Sequence, residues 1–91
     1  MKSDTGKPQW WLLRGIYSSV DCVIRVREWS LKDHPDPDDW MLLPDGRRKF
    51  IDAAIRHCVL VHEGEDINPE SGLPHLAHAL LDLMFALALR P

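Results

Sequence analysis

The sequence predicts an all-α fold, a small helical domain of about three helices completed by oligomerisation. Apolar residues recur every three to four positions from about Arg14 to Trp29 and again from about Arg47 to Glu63, as amphipathic helices require. From Pro74 to about Arg90 the chain is apolar on nearly every side. The prolines fall between these stretches and not inside them, where they interrupt no helical hydrogen bond.

At 91 residues and 10.5 kDa the chain is read as a single helical domain, 1–91. With 45% apolar and 27% charged residues, its composition is that of a globular protein. A chain so short leaves much of its surface uncovered. An all-round apolar helix then has few neighbours of its own to bury it, and a homo-oligomer is expected.

In chain order, residues 1–9 are polar, with Gly6 and Pro8, and read as a flexible entry segment. Trp10, Trp11, Leu12 and Leu13 form an apolar knot expected to cap one end of the core or, failing that, to touch a partner. The first helix draws its apolar face from Ile16, Val20, Val23 or Ile24, and Trp29. Asp21, Arg25 and Glu28 lie opposite, at the spacing of i,i+4 and i,i+3 charge pairs. The β-branched residues here leave a short strand as the competing reading.

The segment 31–46 is a Pro/Asp-rich loop with Pro35, Pro37 and Pro44, pinned by Trp40. Its aspartates do not reproduce a calcium-binding loop. The second helix is placed with Asp45 as N-cap and Gly64 as its stop. Its face is Phe50, Ile51, Ala54, Ile55, Cys58, Val59 and Val61 or His62, and Asp52 and Arg56 form an i,i+4 pair. Pro74 suits the first turn of the third helix, because its missing N–H would be unsatisfied there anyway. Ser71 or Gly72 is the expected cap.

Net charge is −3 and the pI near 5.9, with no basic run longer than Arg47-Arg48-Lys49. On that balance nucleic acid is not an expected partner. The longest apolar run, Leu83 to Leu89, falls far short of the roughly 20 residues of a membrane span, so no membrane partner is expected. The first residues lack the apolar core of a secretory leader. Cys22 and Cys58 show no CxxC spacing and read as buried small hydrophobes in a reducing compartment. A cytoplasmic location, in a bacterial host cell, follows as the expectation.

The residues with chemistry concentrate between Arg56 and Asp82. His75, His78 and Asp82 fall at i, i+3 and i+7, within about 60° of one another around a helix. They follow an acidic loop containing Glu63, Glu65, Asp66 and Glu70. Oxygen-rich donors with a few imidazoles suit Mg²⁺ or Mn²⁺. The same residues would also serve as a buried polar network tying loop to helix. A zinc set of Cys58, His62, His75 and His78 lacks the paired CxxC motifs that would make it specific. Lys7, Arg47, Arg48, Lys49 and Arg56 form a basic set able to contact phosphate, without any Gly-rich phosphate loop.

Asp4-Thr-Gly-Lys7-Pro8, Ala53-Ala-Ile-Arg56-His57 and above all Gly64-Glu-Asp-Ile-Asn-Pro-Glu-Ser-Gly-Leu-Pro-His-Leu-Ala-His78 resemble the N-terminal domains of the dATP/dGTP diphosphohydrolase family of phages and bacteria. The likeness covers nearly the whole chain and extends to the MazG-like all-α nucleotide pyrophosphohydrolases. It implies a helical domain that hydrolyses dATP or dGTP to monophosphate and pyrophosphate by metal-assisted attack of water. Helix one departs from the MazG-like pattern, supplying only Glu28 where a Glu-Glu-x-x-Glu set is usual.

Residues and resemblance together assign catalysis to Glu63, Glu65 and His57, nucleotide binding to Arg56 and Lys7, and Mg²⁺ or Mn²⁺ to His75, His78 and Asp82. The alternative is a non-catalytic, phage-encoded interaction protein of the anti-CRISPR type. It would inhibit a host defence system by binding a host protein through its acidic loop and tryptophans.

Overall fold

The computed structural model describes residues 5–91. The first four residues of the expected entry segment lie outside them. The described chain contains three α-helices, α1 (Tyr17–Ser30), α2 (Gly46–His62) and α3 (His75–Ala88). Two short 3₁₀ turns, Trp10–Leu13 and Asp39–Leu42, precede α1 and α2. Among the described residues there is no strand, and β structure is limited to one isolated bridge between Ile67 and Pro74. The fold is therefore all-α, as the periodicity predicts.

Helix α3 lies in the middle, packed on α2 over most of its length and on α1 more lightly. Its buried face is built from small residues: Ala77, Ala79 and Ala86 beside Leu81. Val23 and Val26 of α1 meet Ala77 and Leu81, with Cys22, Leu73 and Phe85 against the edge of that cluster. The valines pack at i and i+3, so the inward face of α1 is rotated from the expected one. Ile16, Val20 and Ile24 are exposed instead. Helix α2 is rotated in the same sense, burying Ala54 and part of His57 while Ile55, Cys58 and Val59 face solvent. Cys58 is thus not the buried hydrophobe expected of it.

The apolar knot at Trp10–Leu13 does not cap the core. All four residues are exposed, Trp10 at 72%. The 3₁₀ turn is held locally, with Trp11 Nε1–H donating to Gln9 Oε1 at 2.9 Å and the Tyr17 hydroxyl to the Trp10 carbonyl at 2.9 Å. Gly15 follows at φ +89° and separates this turn from α1, which begins three residues later than the periodicity predicts.

The loop before α2 is fixed at two points. Arg27 Nη2–H donates to the Pro37 carbonyl at 2.7 Å, and Trp40 stacks on Phe85 with ring centroids 4.7 Å apart. Asp45 occupies the N-cap position of α2 in a left-handed conformation, φ 55°, but its carboxylate does not cap the helix. It takes the Arg48 guanidinium instead.

The end of α2 is a paired-bond stop. Gly64 N–H donates to the Val61 carbonyl at 3.0 Å and Glu65 N–H to the Leu60 carbonyl at 2.9 Å, the two bonds of a Schellman motif. That geometry places Gly64 at φ +105°, a region that a Cβ disfavours. The expected outcome of Gly64→Ala is a loss of about 1 kcal/mol in urea unfolding, with an unchanged m-value. Undiminished stability would mean that the stop does not set the end of the helix.

Candidate functional site

The loop from Glu63 to Pro74 is folded by its own polar atoms. Asn68 Oδ1 accepts from the backbone N–H groups of Glu70 (2.8 Å) and Ser71 (3.4 Å), and Gly72 N–H donates to the Asn68 carbonyl at 2.8 Å. Asn68 N–H donates to the Leu73 carbonyl at 2.9 Å. The turn delivers Pro74 to the start of α3, where neither Ser71 nor Gly72 caps the helix. Ser71 Oγ accepts from Leu73 N–H at 3.1 Å and lies 2.7 Å from His78 Nε2.

His75, the first residue of α3, is 2% exposed, and both of its ring nitrogens are engaged. Nε2 lies 2.7 Å from Glu65 Oε2 and Nδ1 lies 2.8 Å from His57 Nδ1 on α2. On the far side of the His57 ring, Nε2 is 4.0 Å from Asp82 Oδ2. That separation is too long for a direct hydrogen bond. It is short enough for one water set off the line to touch both groups. The His57 ring also stacks on His78 at 4.9 Å with an interplanar angle of 18°, and Trp29 meets His78 edge-on at 5.5 Å.

The chain Glu65, His75, His57 has a definite proton logic. With a carboxylate at Glu65, His75 Nε2–H donates to it, leaving His75 Nδ1 as acceptor for His57 Nδ1–H. His57 Nε2 then carries a free lone pair directed toward Asp82. Shifting each proton one place along the chain reverses every donor and acceptor.

His57 separates two cavities. The first, about 310 Å³, falls near the lower end of small-molecule sites. Trp29, Trp40, Phe50 and Phe85 line it, with His57, His78 and Asp82 as polar groups at its wall. The second, about 320 Å³, is lined by Arg56, His57, Glu65, Asn68, Glu70 and His75. Sequence reasoning marked the polar residues but not the aromatic wall, because residues of α1, the 3₁₀ turn and α2 meet there only after folding.

The expected site residues divide accordingly. His57, Glu65, His75, His78 and Asp82 come together, and Arg56 borders the second cavity while paired with Asp52 at 2.7 Å. Glu63 and Lys7 are exposed and line neither cavity. The metal assignment to His75, His78 and Asp82 finds no donor set in the structure. Among the described residues no group of three or more His, Cys, Asp or Glu side chains is arranged to hold a metal ion. The imidazole nitrogens point at Glu65, His57 and Ser71 instead. Cys58 and His62 are both exposed on α2, away from the buried histidines.

Burial dominates the electrostatics. It holds His57 below the usual histidine range, reinforced by His75 and then Arg56. It lowers His78 to about 4, with His57 and His75 adding to the effect. It pushes Asp82 up to about 6 against the opposing pull of Arg56. Perturbed titrating groups gathered at a cavity are a signature of acid–base sites.

The all-α domain thus carries a hydrogen-bonded carboxylate–imidazole–imidazole chain between two cavities. The family follows from the sequence itself. The model of the dATP/dGTP diphosphohydrolase N-terminal family matches residues 1–90, and the chain belongs to that family. No curated protein and no solved structure matches it significantly.

Asp82 and His78 make opposite contributions to stability in one pH window. The raised Asp82 stabilises the fold fully below about pH 4, and this is lost as pH rises through about 6. The lowered His78 stabilises it fully above the ordinary histidine value, and this is lost as pH falls toward about 4. In Asp82→Asn only the histidine slope remains. Urea midpoints measured from pH 4 to 6.5 should therefore climb more steeply with pH in the variant than in the wild type. Parallel curves would contradict the burial of Asp82.

Proposed function

We propose that the domain binds a purine deoxynucleoside triphosphate and releases pyrophosphate from it, taking dATP or dGTP to the monophosphate. The observation that carries this reading is the Glu65–His75–His57 chain, which leads from a half-exposed carboxylate to a ring nitrogen at an aromatic-walled cavity. Family membership supports the substrate class. Trp29, Trp40, Phe50 and Phe85 offer faces and edges for a purine. Arg56 offers a guanidinium for the phosphates, because its exposed pair with Asp52 is weak enough for a phosphate to displace.

In this reading a water beside His57 Nε2 attacks the α-phosphorus, and the bond from that phosphorus to the α,β-bridging oxygen breaks, so that this oxygen leaves as a terminal oxygen of pyrophosphate. The proton of the water passes to His57 Nε2, that on His57 Nδ1 to His75 Nδ1, and that on His75 Nε2 to Glu65. Asp82 positions the water between its own carboxyl and His57. Among the described residues no side-chain group is arranged to hold a metal ion, so Mg²⁺ or Mn²⁺ would enter with the substrate and neutralise charge on its phosphates. Glu63 and Lys7 are given no step.

The alternative reading, a host-directed interaction protein, draws on the exposed Trp10 and Trp11. One assay separates the two. Purified protein incubated with dATP or dGTP and Mg²⁺ or Mn²⁺ should release pyrophosphate. His57→Ala should lower kcat by about 10²–10⁴ while retaining its circular dichroism spectrum, and Arg56→Ala should chiefly raise KM. No release from any deoxynucleotide with either metal refutes the hydrolase reading.

A further inference from the structure

His78 is the buried polar group to which the proposed chemistry gives no step. It is 7% exposed, and its Nε2 lies 2.7 Å from Ser71 Oγ. That oxygen already accepts the Leu73 N–H at 3.1 Å. Among the described residues the Ser71 hydroxyl has no other acceptor, so its hydrogen goes to His78 Nε2. A neutral imidazole that accepts at one nitrogen carries its hydrogen on the other. His78 is therefore the Nδ1–H tautomer, and burial keeps it neutral.

The Nδ1–H has no partner within the described chain. No fully buried side-chain nitrogen there lacks a hydrogen-bond partner, so Nδ1 meets open space, and the cavity that His78 lines is the first one. The ring is held in that direction. His57 stacks on one face at 4.9 Å, Trp29 meets it edge-on at 5.5 Å, and the Ser71 bond fixes its rotation.

We propose that Ser71 sets this tautomer so that His78 Nδ1–H donates to a non-bridging oxygen of the nucleotide's α-phosphate. The proposal rests on the nucleotide reading of the first cavity and supplies a phosphate contact that this reading leaves open there. With the attacking water beside His57 Nε2, the phosphorus lies next to the His78 ring, and a donor aimed at its oxygens stabilises the charge that develops on them. His57 Nε2 offers only a lone pair at that wall, and the Asp82 carboxyl holds the water. Arg56 borders the second cavity and not the first. A neutral donor also suits the place better than a cation, because an imidazolium stacked on His57 would oppose its taking the proton of the water. Ser71 is thus a positioning residue, and His78 touches the substrate.

Heteronuclear NMR of the isotope-labelled full chain tests the proposal, with the α,β-methylene analogue of dGTP and Mg²⁺ as an uncleavable probe. In the free wild type, His78 should carry hydrogen on Nδ1 and none on Nε2. The analogue should move the His78 Nδ1–H signal downfield together with the Trp40 indole signals, whereas deoxyguanosine, which has no phosphate, should leave His78 in place. Ser71→Ala should return His78 to a mixture of tautomers and weaken binding of the analogue about tenfold. Ser71→Thr, which keeps the hydroxyl, should preserve both properties. Hydrogen on Nε2 in the wild type, an analogue that moves Trp40 but not His78, a nucleoside that moves His78 equally, or undiminished affinity in Ser71→Ala overturns the proposal and leaves the nucleotide reading standing. An analogue that moves neither residue overturns both.

Discussion

His75 is the constraint on which the rest of the structure depends. Its ring is almost fully buried, its backbone N–H donates to the Asp66 carbonyl at 2.9 Å, and both ring nitrogens meet partners on other elements. One side chain thereby fixes the start of α3, the acidic loop and the middle of α2 relative to one another. Removing it would leave His57 without its partner in a half-buried place, and an unpaired buried polar group costs more than the net worth of the bond it lost. Among the described residues no buried side-chain nitrogen or oxygen is left unsatisfied, so the network is complete as it stands.

This matters more here than in a larger domain because the apolar core is slight. Its buried members are Val23, Val26, Leu81 and four alanines, and an alanine removes little apolar area from water compared with a leucine. Small residues let α3 approach α2 closely, but they do not by themselves dictate one arrangement. The directional bonds of His57, His75 and His78 supply that specification, as satisfied buried networks do. Each of the three rings is also packed against another ring, so orientation is fixed by shape as well as by hydrogen bonding.

The three helices were legible in the sequence because periodicity and proline placement are local signals. Gly64 as a stop and the Asp52–Arg56 and Asp21–Arg25 pairs were legible for the same reason. What the sequence could not disclose was rotation. All three helices carry more apolar residues than one inward face can hold, and periodicity does not say which of two adjacent stripes turns in. Hence Val20 was assigned inward, with Val23 and Ile24 left as alternatives beside it, when Val23 and Val26 take that place, and Ile55 and Val59 were assigned inward when His57 does. The alignment of His75, His78 and Asp82 along one line of α3 was readable from spacing. The direction of the ring nitrogens, toward Glu65 and Ser71, depends on a loop conformation that spacing does not encode. Trp10 to Leu13 looked like core because composition cannot distinguish an apolar residue that finds a neighbour from one that does not.

The proton balance of the site follows from where His57 and Asp82 stand. Burial disfavours charge on both, holding His57 below the usual histidine range and pushing Asp82 up to about 6. Their side chains stand 4.0 Å apart, beyond direct hydrogen-bonding reach. In the proposed reaction a proton taken up at His57 Nε2 is matched by one passed through His75 to Glu65, whose carboxylate is half exposed. A relay of this kind needs its inner end shielded and its outer end wet. In that reading the aromatic wall provides the first and the exposed acidic loop the second.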